Sequence, residues 1–159
     1  MKKNSVLAEE VVRLLKKKKL TLASAESITG GALAAALTDI AGSSEVFLGG
    51  IVAYSDPAKT KFLHVAKRIL TKHTAVSEEV ARTMAESARA EFKSDYAIST
   101  TGVAGPGKAY GQKAGTVWIA IAGKGETVVI SLALSGDRAA VRHATIESAL
   151  ATFARILIP

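Results

Sequence analysis

The sequence contains no cysteine, only three prolines and few aromatic residues, which make up 5% of the chain. The absence of cysteine excludes disulfide bridges, thiolate metal ligands and a cysteine nucleophile. No apolar run approaches the roughly 20 residues that a membrane-spanning helix needs. The N-terminus leads into an amphipathic pattern rather than a signal sequence. We therefore expect a cytoplasmic protein that has no membrane segment.

The composition that remains is typical of a globular protein, and its 159 residues match the size of one domain, which we expect to span 1–159. Hydrophobic residues make up 48% of the chain and charged residues 22%. The net charge of +7 could attract an anionic partner. Four of the lysines form one block at 16–19, where they suit the end of a helix. Because no aromatic residues alternate with the basic ones, the sequence does not favour nucleic acid as a partner.

Hydrophobic periodicity and capping residues divide the chain into alternating helices and strands. Strands separated by helices indicate parallel pairing through right-handed crossovers, and the glycine-rich 123–126 segment indicates a final hairpin. We therefore predict an α/β fold, a three-layer α/β/α sandwich on a mixed, mainly parallel sheet of about five strands. We predict helices over 5–17, 29–40, from 57, from 77 and from 137 onward, and strands over 20–25, 46–54, 96–101, 116–122 and 127–134.

Three polar segments follow the first three predicted strands, at 25–31, 54–59 and 100–106, and the first and third of them contain glycines. In open α/β sheets, ligands bind beyond the carboxyl ends of the strands. Because the crossovers return the chain to the same edge, we expect the three segments to converge on one site.

The first of these segments is a tight turn from strand to helix that carries Ser27. A serine on such a turn is presented in the manner of a hydrolase nucleophile. A purely structural role is the alternative, in which Thr29 caps the helix and Gly30 and Gly31 allow close packing.

The second segment places Tyr54 at a strand end and Lys59 in the first turn of the next helix. The positive end of the helix dipole and partial burial would both lower the pKa of this lysine toward the range of a general base. Lys59 and Ser27 on adjacent strand ends are then a plausible Ser/Lys dyad, in which the lysine takes the serine proton. A surface lysine is the alternative.

Histidines offer no comparable signal, since His64, His73 and His143 lie in different elements without metal-ligand spacing. No paired carboxylates indicate glycosidase chemistry. We expect neither a metal site nor a cofactor.

Seven ordered stretches of the chain resemble the CinA C-terminal domain family, which includes stand-alone nicotinamide-nucleotide amidases. They include the AES-x-TGG turn and the YS-x-x-AK segment, and they cover nearly the whole chain at family spacing. The matching stretches are 25–31, 41–44, 54–59, 75–78, 101–106, 115–117 and 136–138.

The resemblance implies hydrolysis of the carboxamide of nicotinamide mononucleotide by a serine amidohydrolase with a lysine base. It implies Ser27 as nucleophile, Lys59 as base and Tyr54 as the residue that orients the lysine or relays a proton. A homo-oligomer is also expected from the resemblance. The residues implied to bind substrate are Glu26, Thr29, Gly30, Gly31, Thr101, Gly102 and Arg138, with backbone N–H groups around 29–31 stabilising the oxyanion.

Two alternatives stay open. Ser44, in the matching stretch 41–44, is a rival nucleophile, although its position before the second strand predicts the opposite sheet edge unless the chain folds back or a neighbouring subunit supplies it. The rival function is a nucleotide-binding or regulatory domain that keeps the pocket without turnover. The loop at 107–114 departs from the family pattern, because it lacks the usual acidic residues and proline and carries Lys108 and Lys113 instead.

Overall fold

The protein consists of a five-stranded sheet between two layers of helices. A computed structural model describes residues 2–158. A short 3₁₀ turn, Ser43–Glu45, precedes the second strand. The helices are α1 Lys2–Lys18, α2 Ala32–Thr38, α3 Asp56–Leu63, α4 Lys67–His73, α5 Glu78–Phe92 and α6 Arg138–Leu157, and the strands are β1 Leu22–Glu26, β2 Phe47–Val52, β3 Tyr96–Gly102, β4 Thr116–Ala122 and β5 Val128–Ala133.

The strands lie in the order β2-β1-β3-β4-β5. β1 pairs in parallel with β2 and β3, whereas β3–β4 and β4–β5 pair antiparallel. β5 therefore runs in the same direction as β1, β2 and β3, and β4 alone is opposed. The prediction of a mixed, mainly parallel sheet of five strands is confirmed.

The two helical layers bury the two faces of the sheet in separate clusters. On one face, α1, α2 and α6 pack over alternate residues of the strands, among them Leu22, Ile98 and Ile119. On the other face, α5 crosses all five strands, and α3 and α4 pack against α5. The strand residues beneath α5 are small, such as Ala23, Ala97 and Ala120. The side chains of α5 that face them are also mostly small, so the helix packs close to the sheet.

The two adjacent glycines of β2, Gly49 and Gly50, coincide with a β-bulge and with a close approach of neighbouring side chains. The pairing of β2 with β1 skips Leu48, which is a bulge next to Gly49. A Cβ atom added to Gly49 would lie 2.6 Å from the Phe92 ring, and one added to Gly50 would lie 2.2 Å from Ser24 Oγ. A Cβ atom at either position would force the Phe92 ring or the Ser24 hydroxyl to move, so close approach favours glycine at both.

Two helices differ from the sequence-based prediction. α2 is shorter than the predicted 29–40, because Gly30 and Gly31 adopt left-handed backbone conformations with φ values of 58° and 96° and the helix begins only after them. α4 was not predicted, since its seven residues include only two apolar side chains, Ile69 and Leu70, which are too few to show helical periodicity. Within residues 2–158, every helix is too short or too polar to cross a membrane.

Candidate active site

A cleft of about 290 Å³ opens at the carboxyl edge of the sheet. Its walls come from the segments that follow β1, β2 and β3 and from the first residue of α6. All three segments singled out in the sequence therefore meet at one place, as the crossover topology requires. The lining residues are Ser27, Ile28, Tyr54, 102–107, Ala109, Tyr110 and Arg138.

Glu26, the last residue of β1, turns its carboxylate away from the cleft and caps α2. It accepts hydrogen bonds from the backbone N–H groups of Gly31 at 3.0 Å, Leu33 at 3.0 Å and Ala34 at 2.8 Å. Helix N-termini leave such donors unsatisfied, and a carboxylate there also complements the dipole. Glu26 is 1% exposed and is not among the residues that line the cleft. It therefore supports the turn and does not contact substrate in the cleft.

Thr29 and Arg142 hold the turn that carries Ser27. The buried Thr29 hydroxyl donates to Glu26 Oε2 at 2.6 Å and lies 2.7 Å from the Thr100 hydroxyl. Arg142 of α6 donates to the carbonyl oxygens of Ile28 at 3.2 Å and Thr29 at 2.9 Å. The turn is thus fixed from the sheet on one side and from α6 on the other.

Ser27 lies directly after β1, and its backbone N–H donates to the Thr100 carbonyl at 2.9 Å. The expected oxyanion donors at Gly30 and Gly31 are engaged inside the turn. The Gly30 N–H donates to the Ser27 carbonyl, and the Gly31 N–H donates to Glu26. The N–H groups of Ile28 and Thr29, in contrast, have no acceptor among residues 2–158.

Lys59 is a buried lysine, with a side chain that is 1% exposed. It lies in α3, which begins after Ser55, the residue whose hydroxyl accepts from the Ala58 N–H. Lys59 Nζ donates to the Tyr54 carbonyl at 3.4 Å and lies 3.9 Å from Asp56 Oδ1, an oxygen that is buried without a hydrogen-bond partner among residues 2–158. Burial lowers the pKa of Lys59 from its ordinary 10.5, and the negative charge of Asp56 opposes part of that change.

The pairing of β1 with β2 brings the Lys59 segment next to the Ser27 turn. Glu26 is the register partner of Val52, and the Ala53 N–H donates to the Glu26 carbonyl at 2.9 Å. Ser27 directly follows the end of β1, and Tyr54 lies two residues after the end of β2. Among residues 2–158 no hydrogen bond joins Ser27 Oγ to Lys59 Nζ, whose amine is directed at the Tyr54 carbonyl instead.

Arg138 and Tyr54 connect opposite sides of the cleft. The Arg138 guanidinium donates to the Gly105 carbonyl at 2.8 Å and to the Tyr54 hydroxyl at 2.9 Å. Arg138 is the first residue of α6, whose start is capped by Asp137. A guanidinium has five N–H donors, so several remain for an anionic ligand.

The two candidates at the end of β3 differ in position. Gly102 lines the cleft, and a Cβ atom there would lie 2.7 Å from the Thr116 carbonyl oxygen. The Thr101 hydroxyl points away from the cleft and donates to the Ala75 carbonyl at 2.6 Å. Thr101 therefore ties β3 to the start of α5 rather than lining the cleft.

Ser44 lies at the other end of the sheet. It is an exposed residue of the 3₁₀ turn before β2, and the first residue of β2, Phe47, pairs with the first residue of β1, Leu22. The cleft lies beyond the last residues of these strands. The sequence-based expectation that Ser44 lies at the opposite sheet edge is confirmed.

Sequence reasoning gave no role in the cleft to three residues that contact it or its walls. Arg142 is four residues after Arg138, and this spacing on a helix already indicates a shared face. Tyr110 precedes Gly111 in the long loop, and only the glycine of this pair is typical of a tight turn. Asp56 lies three residues before Lys59, within reach on the same helix. In residues 2–158, no three or more histidine, aspartate or glutamate side chains come together in a way that could hold a metal ion.

Proteins of known sequence and structure are similar to this chain in sequence and fold. A competence-damage inducible protein of Thermoanaerobacter sp. (strain X514) is 45% identical over 153 residues, and a relative from Geobacillus sp. (strain WCH70) is 46% identical over 143 residues. These matches cover 96% and 89% of this chain, but only 37% and 34% of the relatives. The chain thus spans about a third of the length of these curated relatives.

Solved structures match over nearly their whole length. Competence damage-inducible protein A from Klebsiella pneumoniae superposes with a TM-score of 0.95 at 37% identity, covering 97% of this chain and 96% of that one. Protein CihA from Agrobacterium tumefaciens superposes with a TM-score of 0.94 at 33% identity, covering 99% and 96%. The CinA C-terminal domain family matches residues 4–157. The chain therefore belongs to the CinA C-terminal domain family.

Proposed function

We propose that this protein is an amidohydrolase that converts nicotinamide mononucleotide into nicotinate mononucleotide and ammonia. The observation that carries the proposal is the position of the buried Lys59 amine, 3.4 Å from the carbonyl oxygen of Tyr54, which lines the same cleft as Ser27. A lysine acts as a general base only when its amine is uncharged, and burial favours that form. The substrate follows from the resemblance to nicotinamide-nucleotide amidases.

In the proposed reaction, Ser27 Oγ attacks the carboxamide carbon while Lys59 takes the hydroxyl proton. The tetrahedral intermediate collapses, the carbon–nitrogen bond breaks, and Lys59 returns the proton to the leaving nitrogen, which departs as ammonia. Water then attacks the nicotinoyl ester on Ser27, with Lys59 again as base. This second half releases nicotinate mononucleotide and restores the free serine.

The position of the Lys59 amine supports a role as base. A neutral amine that donates one hydrogen to the Tyr54 carbonyl keeps its lone pair available for the serine proton. Tyr54 therefore orients the base through its backbone, while its hydroxyl is held by Arg138. Asp56 supplies a nearby negative charge that stabilises the ammonium formed when Lys59 accepts the proton.

The N–H groups of Ile28 and Thr29 are the oxyanion donors that we assign. Ile28 directly follows the nucleophile, where α/β-hydrolases place one such donor, and neither N–H has another acceptor among residues 2–158. Arg142 holds the Ile28 carbonyl, and in a trans peptide the Thr29 N–H then points in the opposite direction. Each such donor contributes roughly 3–4 kcal/mol to stabilising the transition state.

Arg138 is the residue that we assign to the substrate phosphate. Its guanidinium lines the cleft and retains free donors, and arginine suits bidentate binding of phosphate. The exposed Lys108 and Lys113 in the adjoining loop add positive charge at the rim. Together they favour a phosphorylated substrate over the corresponding nucleoside, which lacks the negatively charged phosphate.

Ammonia release by the purified protein supplied with nicotinamide mononucleotide tests the proposal. We expect steady ammonia production, with nicotinate mononucleotide as the other product by chromatography. A matched incubation with nicotinamide riboside, which lacks the phosphate, should release ammonia far more slowly. Binding of the mononucleotide without any ammonia would overturn the amidase proposal in favour of a nucleotide-binding domain.

A further inference from the structure

The long loop after β3 ends in a tight hairpin whose tip reaches the cleft. Ala109 and Gln112 exchange both backbone hydrogen bonds, at 3.1 Å and 2.9 Å. The two residues between them, Tyr110 and Gly111, have φ values of 53° and 71°. Positive φ at both central positions is the signature of a type I′ turn.

Tyr110 is a poor residue for that position on local grounds. The first central position of a type I′ turn favours asparagine, aspartate or glycine, and a bulky side chain at positive φ is strained. Strain of this kind persists mainly at ligand clamps and active sites. The backbone of the turn therefore does not explain why position 110 has an aromatic side chain. We look for the explanation in the groups that the ring contacts.

The ring of Tyr110 lines the cleft, and 48% of the residue is exposed. Tyr54, which is 59% exposed, lines the same cleft from the end of β2. Partial burial raises the pKa of the Tyr110 hydroxyl, and the charges of Asp56 and Tyr54 raise it further. The Tyr110 hydroxyl is therefore close enough to the segment after β2 to interact with it electrostatically. Two half-exposed aromatic side chains thus flank the opening.

We propose that Tyr110 is a specificity-determining residue whose ring packs against the planar heteroaromatic ring of the substrate. The proposal rests on the proposed function, in which that ring is the pyridine of the mononucleotide. Packing between an aromatic side chain and a nucleic-acid base is worth enough to change affinity by about tenfold or more. A substrate without a planar ring would gain nothing from Tyr110.

Two matched variants separate this role from a structural one. Tyr110→Gly removes the ring and relieves the strain, and Tyr110→Asn does the same with a second residue that the turn favours. Lys93→Gly is the control, because Lys93 follows α5 with nearly the same φ of 52° and is not among the residues that line the cleft. We expect none of the three to lower the melting temperature.

Binding is measured with two probes that the enzyme cannot deamidate, nicotinate mononucleotide and ribose 5-phosphate. We expect Tyr110→Gly and Tyr110→Asn to bind nicotinate mononucleotide about tenfold more weakly than wild type while ribose 5-phosphate affinity stays unchanged. Tyr110→Phe, which keeps the ring, should retain wild-type affinity, and Lys93→Gly should be unaltered for both probes.

Three results would overturn the proposal: unchanged affinity of the Tyr110 variants for nicotinate mononucleotide, an equal loss for both probes, or wild-type protein that binds the two probes equally. Because binding is measured without turnover, failure of the amidase proposal is recognised separately. A wild-type protein that discriminates the probes through Tyr110 but releases no ammonia would refute the reaction and leave this inference standing.

Discussion

Lys59 and Asp56 are the two residues on which the proposed chemistry depends at the scale of single residues. A lysine at the N-terminal end of a helix was recognisable in the sequence as electrostatically unusual. Partial burial was expected, but the nearly complete burial of the side chain could not be read there, because it depends on how α3 packs against α5. Asp56, three residues earlier, has no role in the sequence-based prediction, whereas in the structure one of its carboxylate oxygens is buried 3.9 Å from the amine.

The pair predicts a pH effect with a definite sign. In the proposed mechanism activity requires the uncharged amine, so we expect the acidic limb of the rate profile to follow the pKa of Lys59. Because the Asp56 charge raises that pKa, Asp56→Asn should lower it and move the acidic limb to lower pH. The measurement is kcat for ammonia release across pH.

The control for this effect is Asp39→Asn, which removes an exposed carboxylate at the C-terminal end of α2, away from the cleft. It should leave the acidic limb in place. An acidic limb that moves to higher pH in Asp56→Asn, or does not move, would contradict the electrostatic account of Lys59.

At the scale of elements, capping decides where helices begin and where the cleft residues point. The starts of α5 and α6 were predicted from Ser77 and Asp137, and the side chains of both accept the expected backbone N–H. The start of α2 was predicted too early, at Thr29. The residue that caps this helix is Glu26, which reaches forward from the preceding strand, and no local pattern in the sequence reveals that reach.

Replacement of this cap should cost stability. In Glu26→Gln, an amide NH₂ replaces one carboxylate oxygen and faces backbone donors that it cannot satisfy. We expect the free energy of unfolding to fall by about 2–3 kcal/mol, measured by chemical denaturation.

Glu45→Gln is the matched control for Glu26→Gln, because it weakens only an exposed ion pair with Lys16 and should change stability by less than about 0.5 kcal/mol. Equal stability of the two variants would show that the Glu26 carboxylate does not hold the turn.

At the scale of the whole molecule, strand direction places the candidate site. The alternation of helices and strands predicted both the layered architecture and the convergence of three segments at one edge of the sheet. The final hairpin was predicted as well, and β4 and β5 extend the sheet beside β3. Two features could not be predicted: the position of the Tyr110 ring at the cleft and the hydrogen bonds from Arg142 to the turn. Both depend on contacts between segments that are far apart in sequence.

The same topology separates the two serines, with Ser27 after the last residue of β1 and Ser44 before the first residue of β2. The most direct test of the account is therefore the rate of ammonia release from nicotinamide mononucleotide by Ser27→Ala and Ser44→Ala. We predict that Ser27→Ala loses about a thousandfold or more in kcat, as nucleophile removal does in other serine hydrolases, while Ser44→Ala stays close to wild type. Near-normal turnover by Ser27→Ala, with activity lost in Ser44→Ala, would contradict it.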